Sequence, residues 1–114
     1  MTTGALGEAS AAAFLETNGY VILARNYRCR YGEIDLIAQK GDLISFAEVK
    51  TRADARFASA AEAVHIHKQE RLRKTAEIYI AECAPAALDF RFDVIEVYTN
   101  VAPQHSIHMI ENAF

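Results

Sequence analysis

The distribution of apolar and polar residues along the chain predicts two helices and five strands. Residues 5–17 are rich in alanine and precede Asn18-Gly19, a typical helix stop, so they predict the first helix. Residues 66–82 place apolar side chains at helical spacing among lysine, glutamine and arginine, and Pro85 ends this second helix. Strands are predicted over 20–27, over the two arms of 32–52, over 89–98 and over 106–111.

The order of these elements is helix, three strands, helix and two strands, which predicts an α/β (α+β) sandwich around a central mixed sheet. At 114 residues the chain is expected to form one domain, 1–114, and to bury roughly two thirds of its unfolded surface. A turn of helix is expected in the polar, alanine-rich connection after Lys50, because Ser59 and Glu62 have the spacing of a capping box.

Charged side chains lie inside the segment 32–52, although most of this segment has the apolar character of buried strands. Gly41-Asp42 is typical of a two-residue hairpin turn, so the two arms are expected to pair antiparallel. Side chains two apart share a face of a strand, and we therefore expect Glu33 and Asp35 to point to the same side of the first arm.

Asp35, Glu48 and Lys50 are expected to converge at one end of the sheet. Glu48 and Lys50 share a face of the second arm, and Asp35 lies across a single turn from them. A buried carboxylate without compensation is costly enough that it binds a proton, pairs with a cation or coordinates a metal. Two structural alternatives stay open: a local salt-bridge network, or strands that simply emerge into solvent.

Two converging carboxylates suit Mg²⁺, which prefers oxygen ligands and keeps several of its waters. A bound cation eases the deprotonation of water and neutralises charge on a phosphoryl oxygen. Lys50 would then orient or help to deprotonate the water, or stabilise the developing negative charge. This combination of roles indicates phosphodiester hydrolysis.

The composition excludes several other classes of protein. Two cysteines, Cys29 and Cys83, occur without a CxxC pair, which favours neither a disulfide scaffold nor a zinc site. The first ten residues show no basic region followed by a long apolar one, and no later stretch approaches the roughly 20 apolar residues of a membrane span. We therefore expect a soluble cytoplasmic protein without a membrane partner.

The net charge of −3 conceals an uneven distribution of charge along the chain. Residues 24–74 contain eleven Lys or Arg and seven Asp or Glu, whereas residues 75–114 contain one Arg and six acids. Basic residues near the candidate site favour contact with phosphates. Solvated basic faces without a partner are an equally open interpretation, because each cluster is short.

Several motifs resemble the YraN family of small bacterial proteins. They are GEIDLIA, FAEVKTR, the Gly7-Glu8 pair in the first helix, the KQERL segment from Lys68 to Leu72, RFDV from Arg91 to Val94, and the final Asn112-Ala113-Phe114. The resemblance covers nearly the whole chain. That family is similar in motif and element order to PD-(D/E)xK nucleases, including Holliday-junction resolvases, which implies a restriction-endonuclease-like three-layer sandwich.

The resemblance also implies roles for individual residues. Asp35 fills the PD position, although Ile34 stands where proline is usual; Glu48 fills the (D/E) position and Lys50 the K position. The implied cofactor is Mg²⁺ (or Mn²⁺), with the carbonyl of Val49 and the carboxylate of Glu8 as further ligands. The implied partner is DNA, in structured or branched form, and junction-cutting relatives suggest a homodimer. Apart from the resemblance, the basic charge near the site assigns Arg28, Arg30 and Arg52 to nucleic-acid contact. Lys68 and Gln69 are assigned to it as well, with a plain amphipathic helix surface as the open alternative.

Other residues keep two interpretations. Glu8 either joins the site or only favours the start of its helix; Glu33 is an accessory ligand or, as we prefer, a solvent-facing residue. Asp93 is expected to be a buried structural acid paired with Arg91 or Arg52. A metal site is not expected at His65 and His67, which cannot share a face of a helix, and His105 and His108 are expected to be surface residues of the terminal strand.

Three functions compete on these grounds. We favour a metal-dependent endonuclease acting on DNA. The second is a nucleic-acid-binding module with the same fold and little or no activity. The third is a structural or interaction protein in which the charges form a network only.

Overall fold

The computed structural model describes residues 3–52, 65–83, 85–87, 89–99 and 106–114. Its elements follow one another in the predicted order of helix, three strands, helix and two strands. The expected capping box at Ser59 and Glu62 and the histidine His105 lie outside the described residues. The elements are α1 (Thr3–Thr17), β1 (Val21–Cys29), β2 (Gly32–Lys40), β3 (Leu43–Arg52), α2 (Ile66–Cys83), β4 (Asp89–Tyr98) and β5 (Ile107–Ile110).

Local sequence signals set the ends of these elements. Helix α1 stops at Asn18-Gly19, where the backbone nitrogen of Asn18 donates to the carbonyl of Phe14 at 3.1 Å. Gly19 adopts a φ of 90°, a left-handed conformation that glycine tolerates. Gly41 closes the hairpin between β2 and β3 with a φ of 59°. Both stops were predicted from the sequence.

The five strands form one mixed sheet in the order β1-β2-β3-β4-β5. β1 with β2, β2 with β3, and β4 with β5 pair antiparallel. β3 and β4 pair in parallel, because α2 carries the chain back across the sheet between them. The central mixed sheet predicted from the pattern is therefore confirmed.

One helix covers each face of the sheet. Ala11, Ala12 and Leu15 of α1 are fully buried in a core that includes Leu36, Ala38, Ala47 and Ile95. Leu72, Ala76 and Tyr79 of α2 pack in a second core with Ile34, Ile37, Phe46 and Val94. Adjacent sheet residues such as Val94 and Ile95 thus serve opposite cores, as the period of a strand requires. The result is the predicted three-layer sandwich, consistent with a restriction-endonuclease-like architecture.

The regular alternation of β2 breaks at Asp35. Ile34 belongs to the core beneath α2 and Leu36 to the core beneath α1, although residues two apart on a regular strand share a face. The partner strand is also irregular here, since Asn26 of β1 has a φ of 51°. The pairing of β2 with β3 runs from the turn only as far as Leu36 opposite Ala47. Asp35 therefore lies where these two strands separate.

None of the helices in the described part of the chain is long and apolar enough to cross a membrane.

The edge strand β1 exposes Val21 and Leu23.

Candidate active site

Asp35 and Glu48 converge where the pairing of β2 and β3 ends. Asp35 Oδ2 accepts a hydrogen bond from the Val49 amide nitrogen at 2.8 Å, which takes the place of a ladder bond between the two strands. Glu48 is the residue just before Val49 and is buried, at 7% exposure. The separation of the strands thus brings two carboxylates together at the edge of the core.

The environment of Asp35 opposes its ionisation. Burial raises the pKa of the Asp35 carboxyl to about 7, with a further contribution from the negative charge of Glu48. The hydrogen bond from Val49 acts in the opposite direction, and the charges of Glu8 and Glu33 add smaller increases. The ionised form of Asp35 is thus disfavoured, and a cation bound beside it would stabilise that form.

Two lysines face Glu48 from different elements. Lys68 Nζ, at the start of α2, lies 2.7 Å from Glu48 Oε1, and Lys50 Nζ lies 3.8 Å from the same oxygen. Burial and the neighbouring Lys68 ammonium lower the pKa of Lys50, opposed by Glu48. The pKa of Lys68 is raised, because its contact with Glu48 outweighs the effect of burial. Both ammonium groups lie beside the carboxylate pair.

Helix α1 brings Glu8 close to the same site. A Cβ on Gly7 would collide with the Thr51 side chain of β3, so glycine allows the helix to approach the strand closely. Glu8 is half-buried on the helix face that also carries Ala11 and Leu15, and its charge contributes to the raised pKa of Asp35. This face of the helix is the one expected from the sequence.

The donors present fit a hard divalent cation in part. Asp35 and Glu48 offer carboxylate oxygens, which Mg²⁺ prefers, and a cation between them would relieve their mutual repulsion. Among the described residues, no group of three or more His, Cys, Asp or Glu side chains is arranged to hold a metal. Asp35 and Glu48 are therefore the principal candidates, with Glu8 and the Val49 carbonyl as the additional ligands implied by the resemblance.

The residues predicted to contact nucleic acid are not all in one place. Arg30 and Lys68 line the same cleft as Asp35. Arg28 is exposed and pairs with Glu33 at 2.8 Å. Among the residues that the structure describes, the Arg52 guanidinium nitrogens Nε and Nη2 are buried and have no hydrogen-bond partner. Gln69 is half-buried in the first turn of α2, where its backbone nitrogen donates to the carbonyl of His65 at 2.9 Å.

Asp93 is a structural acid, as expected. It is fully buried and accepts hydrogen bonds from Arg91 Nε at 2.7 Å, from the Asn112 amide nitrogen at 2.9 Å and from the Ser45 hydroxyl. Of its two predicted partners, the structure selects Arg91.

Another buried acid, Glu96, was not anticipated from the sequence. It is 2% exposed, accepts a hydrogen bond from the Tyr98 hydroxyl at 2.7 Å, and contacts His108 Nδ1 at 3.2 Å. The only available signal was its position in an apolar strand. His108 itself is largely exposed, with 66% of its side chain accessible.

A cleft of about 520 Å³ opens beside Asp35 and Lys68. It lies between the turn that joins β1 to β2 and one face of α2, and the sequence did not identify it. Arg71 is one turn of helix beyond Lys68, so helical spacing would have placed the two on one face. The position of Tyr31 in the facing turn gave no comparable signal. The lining of the cleft includes Cys29, Arg30, Tyr31, Arg71 and Leu72.

The sequence is similar to a family of bacterial proteins over most of its length. Residues 7–97 match the family described as "Uncharacterised protein family UPF0102". A UPF0102 protein of Clostridium tetani is 46% identical over 112 residues, covering 97% of this chain and 92% of the relative. One from Caldicellulosiruptor saccharolyticus is 44% identical over 112 residues, covering 97% and 95%. One from Alkaliphilus metalliredigens is 46% identical over 111 residues, covering 97% and 96%.

The matched residues run from α1 to β4 and include Asp35, Glu48 and Lys50. The resemblance to the YraN family, made on the central motifs, is confirmed by this match. The chain belongs to the UPF0102 (YraN) family.

Proposed function

We propose that this protein is a metal-dependent endonuclease that hydrolyses phosphodiester bonds of DNA. The observation that carries the proposal is the convergence of Asp35 and Glu48 where β2 and β3 separate, beside the ammonium groups of Lys50 and Lys68. Two acids and two cations at one edge of a sheet are the charges needed to hold a divalent cation and to bind a phosphate. The proposed substrate is structured or branched DNA, as the family resemblance implies.

Each side chain has a definite task in this proposal. Asp35 and Glu48 hold the cation, and the Val49 amide fixes the orientation of the Asp35 carboxylate through its 2.8 Å hydrogen bond. When bound, Mg²⁺ or Mn²⁺ supplies Lewis acidity, which eases deprotonation of the attacking water and neutralises charge on the phosphoryl oxygen. Lys50 orients that water and stabilises the negative charge that develops on the phosphate. Lys68 adds a second positive charge for the phosphate group.

Thermal unfolding with and without metal tests the site. Mg²⁺ or Mn²⁺ at millimolar concentration is expected to raise the melting temperature, because a ligand that binds only the native state stabilises it. The shift should disappear in Asp35→Ala and Glu48→Ala. Asp42→Ala is the matched control, since it removes an exposed acid from the hairpin turn and should keep the shift.

Cleavage assays test the reaction itself. Duplex, single-stranded and four-way-junction DNA are incubated with Mg²⁺ and either wild-type protein or Lys50→Ala. The proposal requires cleavage by the wild type and its loss in Lys50→Ala. Activity that survives in Lys50→Ala would assign the cleavage to a contaminant or to other residues.

A purely structural charge network is the second candidate. The observation in its favour is that Glu48 already has cationic partners, Lys68 at 2.7 Å and Lys50 at 3.8 Å. It predicts no metal-dependent change in melting temperature and a loss of stability in Glu48→Ala, which would leave two ammonium groups without their acid. A nucleic-acid-binding module without activity would instead bind DNA without cleaving it.

A further inference from the structure

The cleft beside the candidate active site has the features of a nucleotide-binding site. Asp35 and Lys68 form one end of it, so it begins at the place where the scissile phosphate is proposed to bind. Its volume of about 520 Å³ lies within the range of roughly 300–1,000 Å³ typical of pockets for small ligands. Such a volume admits one nucleotide.

The wall of the cleft combines an aromatic ring with cations. The Arg30 guanidinium lies 4.9 Å from the centre of the Tyr31 ring, and its Nη2 donates to the Tyr31 hydroxyl at 3.0 Å. Lys74 Nζ approaches the same ring at 5.3 Å from α2. Arg71 lines the cleft one turn earlier on that helix. Aromatic rings stack on nucleobases, and flexible basic side chains around them follow the phosphate backbone.

Two residues of low polarity also line the cleft. Leu72, a buried residue of α2, and the thiol of Cys29 both line it. Cys29 Sγ is 3.5 Å from the Thr75 hydroxyl and accepts a hydrogen bond from the Tyr31 amide nitrogen at 3.4 Å. These contacts tie the backbone of the turn that carries Tyr31 to helix α2 before a ligand arrives.

We propose that this cleft binds one unpaired nucleotide of DNA next to the scissile phosphate, with the base against Tyr31 and the adjoining phosphates on Arg30, Arg71 and Lys74. The inference rests on the proposed function in one respect, namely that the bound strand carries the phosphate to be cut. It narrows the substrate class to DNA that presents a single-stranded or unpaired position at the cleavage site.

Equilibrium binding in EDTA tests the cleft without any cleavage. Fluorescence polarisation compares a labelled oligothymidine with a blunt duplex of equal length at one fixed low salt concentration, because affinities for DNA depend strongly on salt. The oligothymidine should bind about tenfold more tightly, as expected for one stacked base. Equal affinity for the two DNAs would overturn the proposal.

Variants of the cleft separate stacking from general charge. Tyr31→Ala should weaken oligothymidine binding about tenfold, and Tyr31→Phe should restore most of that loss because it keeps the ring. Arg71→Ala should weaken binding more than Arg25→Ala, the matched control, which removes an exposed arginine of β1 outside the cleft. If Tyr31→Ala changed the affinity no more than Arg25→Ala does, the cleft would not be the binding site.

Cys29 provides a readout inside the folded protein. In a Cys83→Ser background, which removes the exposed second thiol, the reaction of Cys29 with a disulfide reagent such as DTNB is followed with and without DNA. Saturating oligothymidine should slow the reaction several-fold, whereas the blunt duplex should slow it much less. Unchanged reactivity at saturation would place the DNA elsewhere.

The two proposals fail in different ways. Binding and protection of Cys29 without any Mg²⁺-dependent cleavage would support the nucleotide site and overturn the nuclease. Cleavage that needs Asp35 and Glu48, together with DNA binding that is insensitive to Tyr31 and Arg71, would support the nuclease and overturn the nucleotide site.

Discussion

Asp93 and Asp35 both lie in central strands of the same sheet, but the protein satisfies them to different degrees. Asp93 accepts hydrogen bonds from Arg91, Ser45 and the Asn112 amide, and it is fully buried. Among the described residues, the Asp35 carboxylate accepts one hydrogen bond, from the Val49 amide. Its nearest charged neighbours include the acids Glu48 and Glu8, which raise its pKa.

This difference distinguishes a structural acid from a candidate functional one. A carboxylate has about four sites that accept hydrogen bonds, and the protein fills most of those on Asp93 with its own donors. Asp35 is half-buried, and the resulting loss of hydration opposes its ionisation by more than its own hydrogen bond offsets. A bound cation would stabilise the ionised form of such an acid. Side chains with perturbed pKa values cluster at functional sites.

Replacement of Asp93 is expected to have the largest effect on stability. Asp93→Ala leaves the half-buried Arg91 guanidinium and the buried Ser45 hydroxyl without this acceptor, which should cost about 3–5 kcal/mol of the free energy of unfolding. Urea denaturation followed by circular dichroism measures the change. Asp42→Ala, on the exposed hairpin turn, is the control and should stay within about 0.5 kcal/mol. A similarly small change in Asp93→Ala would remove the distinction between the two aspartates.

Asp35→Asn should instead change how stability depends on pH. The pKa of Asp35 rises from its ordinary 3.8 to about 7 in the folded protein. The protonated form therefore stabilises the fold fully below about pH 4, and this contribution is lost as the pH rises towards 7. The loss is on the order of 4 kcal/mol at most, at 1.36 kcal/mol per pKa unit.

Unfolding in EDTA between pH 4 and pH 8 measures this slope for both proteins. Asparagine keeps an oxygen to accept the Val49 hydrogen bond but does not ionise. Asp35→Asn should therefore lose the wild-type decline and be the more stable protein at pH 8. The groups that face Asp35 are Glu48, Glu33, Glu8 and Lys68, so Glu48→Gln should make the wild-type slope shallower. Parallel curves for wild type and Asp35→Asn would contradict the assignment.

Lys68→Met should strengthen metal binding by a smaller amount. The Lys68 ammonium lies 2.7 Å from Glu48 and competes with any cation for that carboxylate. Its removal should tighten Mn²⁺ binding about fivefold, which corresponds to roughly 1 kcal/mol, the upper end for a partly exposed pair. Titration of free Mn²⁺ by electron paramagnetic resonance measures the affinity. Lys74→Met, which removes the same charge from the same helix, is the control; an equal gain there would reduce the effect to general electrostatics.

Glu33→Gln is expected to have the smallest effect. Glu33 pairs with Arg28, whose side chain is 74% exposed, and exposed pairs contribute little to stability. The free energy of unfolding should change by less than about 0.5 kcal/mol, and the affinity for Mn²⁺ should match that of the wild type. Weaker Mn²⁺ binding in Glu33→Gln, comparable to that in Glu48→Gln, would make Glu33 a ligand.

The sequence predicted the elements of the fold well because their signals are local. Asn18-Gly19 ends α1 and Gly41 closes the hairpin. Both glycines adopt a left-handed conformation, which glycine tolerates better than other residues. The alternation rule failed at Asp35, where Ile34 and Leu36 serve opposite cores. That break comes from the separation of β2 from β3 and from the irregular Asn26 on β1, neither of which a periodic pattern encodes.

The candidate site was predicted only in part for the same reason. Asp35, Glu48 and Lys50 were recognisable because charged residues in an apolar hairpin are unusual. The cleft was not, since Tyr31 and Arg71 come from a turn and a helix that are distant in sequence. Two guanidinium nitrogens of Arg52 are buried, a position that the sequence pattern does not encode, and its contact with nucleic acid stays a prediction.

By itself, the sequence determined which residues form helices and strands and which strands carry charge, because periodicity and turn chemistry act between neighbours along the chain. Only the tertiary structure decided which acids are satisfied. The partners of Asp93 include Ser45, 48 positions away, and Glu48 meets Lys68 across 20 positions. The electrostatic state of a buried carboxylate depends on the donors and charges that surround it in space, and the folding of distant segments brings those groups together.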